Sequence, residues 1–408
     1  FEGIGRIAPE IAEELRDASL NAWDALVQLC IEQQAQFLLI AGDIYDGEVR
    51  GVRAQLRFLR GLERLSTCAV QVFVAHGNHD PAGGRWSAIR DWPPGVTVFG
   101  HERVESALVQ RDGIPLAVVH GISHATREVS DNLAHGFHRG AQSCPHLAVL
   151  HCNVDRDPDH ALYCPCTLED LRRAGMDYWA LGHIHSHREV LSGESWAIYA
   201  GSLQGRSLKP SERGNKGAIV ATIEHGRVVN PEFVPVAQVR FVELDVDVTG
   251  VADLGGLVVR LEQGVAAEQH GAPASGLVVR ARLTGRGPVH GDLSAAAGAT
   301  DELLKTLREE AVSRRPFVWW TDVRNETRAE LDREAIRRRG DFSAELLRLR
   351  DELLQDPARG ARFIEQQIAD LSTPALQRWS RDVPRDEVAM LEEAEMLALE
   401  KLEARSGE

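Results

Sequence analysis

Two histidines separated by one residue, His183 and His185, stand in the segment 181–187, which reads LGHIHSH. Because Ile184 alternates with them, an extended backbone would point both imidazoles to the same side. Three upstream segments also place Asp, Asn or His after a short apolar run: 41–47 (AGDIYDG), 75–81 (AHGNHDP) and 148–153 (AVLHCN). Together these residue types predict the ligand set of two divalent metal ions that act on a phosphoester.

Hydrolysis of a phosphodiester requires an activated water and relief of negative charge at phosphorus. Two metal ions roughly 3.5–4 Å apart can do both, because they share a hydroxide and bind the phosphate oxygens. Asp43, placed just before a turn, is suited to bridge the ions, and Asn78 and His151 follow or end other apolar runs. Imidazole and amide ligands suit Mn²⁺, Fe²⁺ or Zn²⁺ better than Ca²⁺, and we expect two divalent ions, most readily Mn²⁺.

The elements that must position these residues alternate between helix and strand over residues 1–235. Helical spacing of apolar residues predicts helices over 8–36, 50–66 and 167–174. Short apolar runs predict strands at 37–41, 70–74, 96–99, 115–120, 147–150, 178–181, 196–199 and 217–224. This order predicts an α/β sandwich with parallel and antiparallel strands.

Two further regions follow Pro231 and Pro235. Residues 236–322 predict a small α+β module, with strands at 239–248, 276–284 and 316–321 and helices at 252–268 and 300–312. Residues 323–408 are charged and Leu-rich, which predicts a C-terminal helical region. Its apolar face can form a self-packed hairpin or a contact with a partner.

Composition sets limits on the class of protein. The 408 residues carry a net charge of −15, which argues against a chain coated in positive charge for gripping nucleic acid. DNA stays possible as a substrate, since a local basic groove or bound metal ions can offset the repulsion. Six cysteines without framework spacing, no secretory leader and no long apolar run lead us to expect no membrane span and a cytoplasmic, nucleoid-associated protein.

In this order, the four segments resemble the calcineurin-like metallophosphoesterases, and among them the bacterial SbcD/YhaO branch of DNA repair exonucleases. The resemblance covers residues 1 to about 330 and is strongest from 37 to 205. It implies a four-layer α/β/β/α sandwich, with 236–322 as a capping domain. It also implies that the substrate is DNA and that the protein is an exonuclease, an endonuclease or both. The same resemblance implies a homodimer and an SMC-like ABC ATPase partner that contacts the C-terminal helices.

The resemblance also assigns the metal ligands residue by residue. Asp43 would bridge the two ions, and a hydroxide shared by the two ions would attack phosphorus in line with assistance from His79. Asn78, His151 and His183 would bind the second ion, and His185 would bind the first.

Four residues on the substrate side are assigned by the same resemblance or by position. His79 would face the scissile phosphate as general acid or transition-state stabiliser, and Asp80 would accept a hydrogen bond from His79 and orient it. Ser202 lies in a loop that resembles the family's return to the site. His120 ends an apolar run and is either a substrate-side residue or a core histidine.

One family motif does not occur before Asp43. The superfamily begins with an Asp-x-His pair that binds the first metal, whereas this sequence opens with FEGIGR, which resembles the segment after that pair. We expect the pair and its strand to lie upstream of Phe1. Two alternatives stay open: a phosphoesterase for small nucleotide phosphoesters, or a catalytically inactive scaffold that binds DNA or an ATPase.

Overall fold

The structure is a computed structural model. It describes residues 11–46, 51–83, 89, 91–156, 161–270, 276–295, 298–311, 314–369 and 386–406. Contacts divide the chain after Arg328 into two compact units. Each unit is therefore described by itself.

The first part of unit one contains three helices and thirteen strands within its described residues. The helices are α1 (Ala12–Glu32), α2 (Val52–Thr67) and α3 (Leu168–Arg173). The strands are β1 (Phe37–Ala41), β2 (Gln71–Ala75), β3 (Val96–Val98), β4 (Glu105–Arg111), β5 (Ile114–Gly121), β6 (His146–His151), β7 (Asn153–Val154), β8 (Pro165–Cys166), β9 (Tyr178–Gly182), β10 (Arg188–Leu191), β11 (Trp196–Tyr199), β12 (Gly217–Glu224) and β13 (Arg227–Pro235).

These strands form two main sheets. The first contains β1, β2 and β3 in that order, and all three are parallel. The second has the order β10-β11-β9-β6-β5-β4, in which the four central strands are parallel and the two edge strands antiparallel. Strands β12 and β13 form an antiparallel hairpin.

The alternation of side chains along β1 explains how the layers stack. Leu38 and Ile40 pack into a core with α1 and α2, while Phe37 and Leu39 pack between the two sheets. The opposite face of the second sheet, including Trp179, is covered by α3 and a short 3₁₀ turn at Leu133–Gly136. The result is the predicted α/β/β/α sandwich, because each apolar face is buried against another layer.

A capping box sets the start of α3. The Thr167 hydroxyl accepts from the Asp170 N–H at 3.2 Å, and the Asp170 carboxylate accepts from the Thr167 N–H at 2.8 Å. These bonds satisfy two amides that the first helical turn leaves without partners. The short helix then returns the chain to β9, and His183 and His185 lie in the loop that follows this strand.

The rest of unit one is built on a three-stranded parallel sheet, β14 (Val239–Asp247), β15 (Gly276–Thr284) and β16 (Phe317–Asn325). Helices α4 (Leu254–His270), α5 (Val289–Ser294) and α6 (Ala299–Ala311) cover one face and enclose a core of their own. Its other face packs against the start of α1. The domain limits at 235 and 322 stay a prediction.

Unit two is helical over its described residues: α7 (Arg333–Arg339), α8 (Phe342–Gln355), α9 (Pro357–Ala369) and α10 (Glu387–Ser406). Two small apolar clusters hold it together, one around Leu347 and Leu399 and one around Leu353 and Leu391. Pro357 begins α9, where its missing N–H costs no helical hydrogen bond.

Candidate metal and catalytic site

The predicted residues gather at the carboxyl ends of four parallel strands. Ala41 of β1 is paired with Ala75 of β2, and His151 of β6 with Gly182 of β9. Parallel pairing in this register brings the ends of neighbouring strands to the same edge of each sheet. The strand ends that lead to the four predicted ligands therefore lie side by side within each sheet, although these ligands are far apart in sequence: Asp43, Asn78, His151 and His183.

The backbone at this edge is strained and closely packed. Asp43 has φ 53° and His183 has φ 99°, values that residues with a side chain rarely adopt. At Gly77, an added Cβ would lie 2.3 Å from Asp43 Oδ1, and at Gly182 it would lie 1.8 Å from the Ala41 carbonyl oxygen. Only glycine allows these loops to approach so closely.

Three side chains converge at the centre of this edge. His151 Nε2 lies 2.8 Å from Asn78 Oδ1 and 3.4 Å from Asp43 Oδ2. The other ring nitrogen of His151, Nδ1, lies 2.9 Å from the Ala41 carbonyl oxygen. Since a carbonyl only accepts, Nδ1 carries the hydrogen.

The charge state of His151 makes this arrangement informative. Burial lowers the pKa of His151 to about 4, so the ring is neutral at pH 7 and Nε2 presents a lone pair. That lone pair faces oxygen atoms of Asn78 and Asp43, while burial also raises the pKa of the Asp43 carboxyl. Three electron-rich atoms facing one another repel, and a cation among them would remove the repulsion.

The other two predicted histidine ligands are tethered in the same way. His183 Nε2 donates to the Ala161 carbonyl at 2.8 Å, and His185 Nδ1 donates to Glu212 Oε1 at 2.6 Å. In the neutral ring, each bond leaves the opposite nitrogen as an acceptor. Metal-binding histidines typically donate their second N–H to a carbonyl or carboxylate in this manner.

The predicted ligands therefore have the chemistry of a metal site, although not all of them lie within coordination distance of a single point. Within the described residues, no three His, Cys, Asp or Glu side chains already converge as metal ligands. Asp43, Asn78 and His151 do converge, and the His183 ring centroid lies 5.3 Å from that of His151. The site residues fit a divalent ion in type and tautomer.

The orientation predicted for His79 through Asp80 is wrong. His79 Nδ1 lies 3.1 Å from Asp46 Oδ1, and Asp46 also pairs with Arg206. Asp80 is fully buried and turned inward, where its carboxylate accepts backbone N–H groups of Asp43, Ile44 and Gly77.

The hydrogen bonds of the buried Asp80 carboxylate stabilise its charged form. Burial alone would raise its pKa, but bonds from the His76 ring and the backbone N–H groups hold the pKa below its usual value. His76 Nδ1 lies 3.3 Å from Asp80 Oδ2. Asp80 therefore ties together the loops after β1 and β2 that carry Asp43 and Asn78.

Of the two weaker substrate-side candidates, His120 takes a structural position, and the substrate role of Ser202 stays a prediction. His120 is buried between Ser106, whose hydroxyl lies 2.7 Å from its Nδ1, and His146, whose Nδ1 lies 2.8 Å from its Nε2. The alternative of a core histidine is thus the one observed, because both ring nitrogens are used inside the sheet. Ser202 contacts the His185 carbonyl through its N–H at 3.1 Å and its hydroxyl at 3.4 Å.

Several residues that support the site carry little signal in the sequence. His124 is buried and donates Nε2–H to the His151 carbonyl at 2.7 Å. Glu212 and Arg206 follow Ser202 on the same returning segment and reach His185 and Asp46. Only their place after a motif that resembles a returning loop points to them.

Comparisons with known proteins agree with this geometry. Residues 16–187 match the family of calcineurin-like phosphoesterases, and residues 241–328 match the middle domain of metallophosphoesterase YhaO. An uncharacterized metallophosphoesterase YhaO of Bacillus subtilis is 33% identical over 332 residues, which cover 81% of this chain and 79% of that protein. The chain belongs to the calcineurin-like metallophosphoesterase family. Members use a dinuclear divalent metal centre to hydrolyse phosphoesters, so this family membership makes the chain a phosphoesterase.

More distant relatives of this phosphoesterase are DNA double-strand break repair proteins Mre11. The one from Thermoplasma acidophilum is 27% identical over 228 residues, which cover 51% of this chain and 57% of that protein. The one from Methanosarcina mazei is 21% identical over 250 residues, which cover 58% of this chain and 37% of that protein. Among the described helices of the phosphoesterase, none is long and apolar enough to cross a membrane.

A cleft of about 850 Å³ runs between β1 and β12 and opens at the site of this phosphoesterase. The two strands belong to the same layer, since Leu38 and Ala218 pack into the helix-side core while Leu39 and Ile219 pack between the sheets. Within the described residues, however, β1 pairs with β2 and β12 with β13. The layer therefore contains an apolar slot between two strands that do not pair with each other.

Proposed function

We propose that this phosphoesterase is a two-metal-dependent phosphodiesterase that cleaves DNA. The observation that carries the proposal is the common tether of His151, His183 and His185. Each donates one ring N–H to a fixed acceptor, so that in the neutral ring the other nitrogen carries the lone pair that a divalent ion binds. Asp43 and Asn78 add the oxygen donors, and this mixed N/O set supports Mn²⁺ as the physiological metal, with Fe²⁺ or Zn²⁺ next.

The chain's own groups divide the work around the phosphate. When bound, the metal ions supply an activated water and neutralise charge on the phosphate oxygens. His79 lies at the cleft with one third of its side chain exposed, where it can donate a proton to the leaving oxygen. Asp46 holds the His79 ring at Nδ1, which directs Nε2 away from the loop.

DNA is the proposed substrate on the strength of the relatives rather than of the overall charge. The Mre11 proteins are DNA double-strand break repair proteins by name. Residues 241–328 of this chain also match the middle domain of metallophosphoesterase YhaO, outside the region that matches the calcineurin-like phosphoesterases. The net charge of −15 favours a second candidate, hydrolysis of small nucleotide phosphoesters.

The two candidates are separated by one pair of assays on the full-length protein with Mn²⁺. One follows cutting of plasmid and linear duplex DNA, and the other follows dye release from bis-p-nitrophenyl phosphate. Cutting of DNA that EDTA abolishes supports the nuclease. Dye release without DNA cutting would assign a small substrate, and two bound ions without either activity would point to a scaffold.

We also propose a homodimer and an SMC-like ABC ATPase as partners, with the helices of unit two as the ATPase contact. This unit leaves large apolar side chains exposed, among them Phe342, Val388 and Leu397. Such side chains on helices suit a hydrophobic groove or another helix. Light scattering of the full-length protein, alone and mixed with the ATPase, measures both associations.

A further inference from the structure

Glu212 contacts the ring of His185 through a hydrogen bond. It is the last residue of a 3₁₀ turn at Pro210–Glu212, and only 6% of its surface is exposed. Its Oε1 accepts the His185 Nδ1–H at 2.6 Å, and its Oε2 accepts the Arg206 N–H at 3.0 Å. Both carboxylate oxygens are thus engaged, and the ring of His185 is held in one tautomer with Nε2 as the acceptor.

The main chain of His185 is held by the same returning segment. Its carbonyl accepts from the Ser202 N–H at 3.1 Å and from Lys216 Nζ at 2.7 Å. Lys216 is only 2% exposed and also donates to the Ser211 carbonyl at 2.5 Å. A buried cation near the buried Glu212 carboxylate lowers the cost of removing that negative charge from water.

The family resemblance assigns two of the described residues to the first metal, the bridging Asp43 and His185. His151 and His183 are tethered to backbone carbonyls of β1 and of a neighbouring loop, whereas His185 is tethered to a carboxylate side chain. A carboxylate tether also raises the basicity of the ring and can be removed by substitution without altering the backbone.

We propose that Glu212 is a positioning residue for the first metal: it orients His185 and raises its affinity for that ion, but does not itself touch the ion or the substrate. This inference rests on the proposed two-metal function. It predicts a selective effect at one of the two ions. Support of the loop alone would predict a loss of stability with both ions affected alike.

The test titrates the metal-free, full-length protein with Mn²⁺ by isothermal titration calorimetry. In Glu212→Ala, one of the two ions should bind about 10- to 100-fold more weakly, with the other changed by less than about twofold. Glu212→Gln should fall between, because its amide oxygen still accepts the Nδ1–H but carries no charge. If circular dichroism shows that Glu212→Ala does not fold, the Glu212→Gln variant alone provides the test.

Two controls separate positioning from general support. Glu243→Gln removes a carboxylate that pairs with Arg213 and Arg280 but contacts no predicted ligand, so both Mn²⁺ affinities should stay unchanged. In a His185→Ala background, adding Glu212→Ala should weaken Mn²⁺ binding no further, since Glu212 acts through His185.

Each remaining outcome decides a different claim. Two ions bound by wild type and bound as tightly by both Glu212 variants would overturn the role of Glu212 alone. Equal weakening of both ions, or additive losses in the double variant, would overturn it in favour of loop support. Absence of Mn²⁺ binding to the wild type would overturn the two-metal function together with this inference.

Discussion

Asp46 Oδ1 lies 3.1 Å from His79 Nδ1, and the other oxygen of Asp46 pairs with Arg206. The proposed proton donor is therefore oriented from the loop after β1, and that loop is linked to the segment that returns from β11. Asp80, the neighbour of His79 in sequence, instead binds backbone N–H groups inside the protein. The two carboxylates thus have separate roles: Asp46 orients the ring of His79, and Asp80 ties together the loops that follow β1 and β2.

Asp46→Asn should lower kcat by roughly 10-fold, a part of the total that a general acid contributes. The amide can still contact His79 but no longer stabilises its protonated form. Mn²⁺ affinity should stay at the wild-type value, because Asp46 contacts no predicted ligand. Steady-state kinetics on bis-p-nitrophenyl phosphate, with Mn²⁺ titration in parallel, measures both. A weaker Mn²⁺ affinity with unchanged kcat would contradict this role.

His79→Ala should abolish turnover, with a loss of about 10²-fold or more in kcat, while both metal ions stay bound. The ring donates to Asp46 and its backbone N–H donates to Asp43 Oδ1 at 2.9 Å. Alanine keeps that backbone bond, so the bridging carboxylate stays in place. Metal analysis of the purified variant by mass spectrometry checks this. Loss of both ions would show that His79 is a ligand rather than a proton donor.

The candidate ligands could be proposed from the sequence because each follows or ends a strand and is of a residue type that binds metal ions, and their metal-binding role stays a prediction. Asp46 and Glu212 could not be assigned, since their partners depend on how two loops fold against each other. The strands β4 and β10 were also missed. Both are sheet edges, and β4 buries only Val109, so the apolar alternation that reveals a strand is absent. The contact of His120 with His146 likewise arises only when β5 and β6 pair.

Asp80→Ala should destabilise the fold rather than only the chemistry. The fully buried carboxylate accepts from three backbone N–H groups and lies beside His76, and its removal leaves these donors unsatisfied. We expect a loss of about 3 kcal/mol in the free energy of unfolding. Urea denaturation of the metal-free protein measures it, with Asp46→Ala as the matched surface control. Equal midpoints for the two variants would contradict the structural role.

The buried histidine pair predicts a loss of stability in acid. Burial lowers the pKa of His120 to about 4, with further lowering from the nearby charges of His146 and Arg139, whereas an unfolded histidine has its ordinary value of 6.5. The unfolded chain therefore takes up a proton first as the pH falls. The contribution of His120 is complete above about pH 6.5 and is lost between that value and pH 4, by about 3 kcal/mol in total.

His120→Gln tests this contribution without opening a cavity, because the amide can still bond to Ser106 and His146. Between pH 7 and pH 5, the free energy of unfolding of the wild type should fall by about 2 kcal/mol more than that of the variant. Urea denaturation of both metal-free proteins at the two pH values gives the difference. Because His124 and His151 are present in both proteins, their own titration largely cancels. Parallel losses in wild type and variant would show that His120 is not held neutral by its burial.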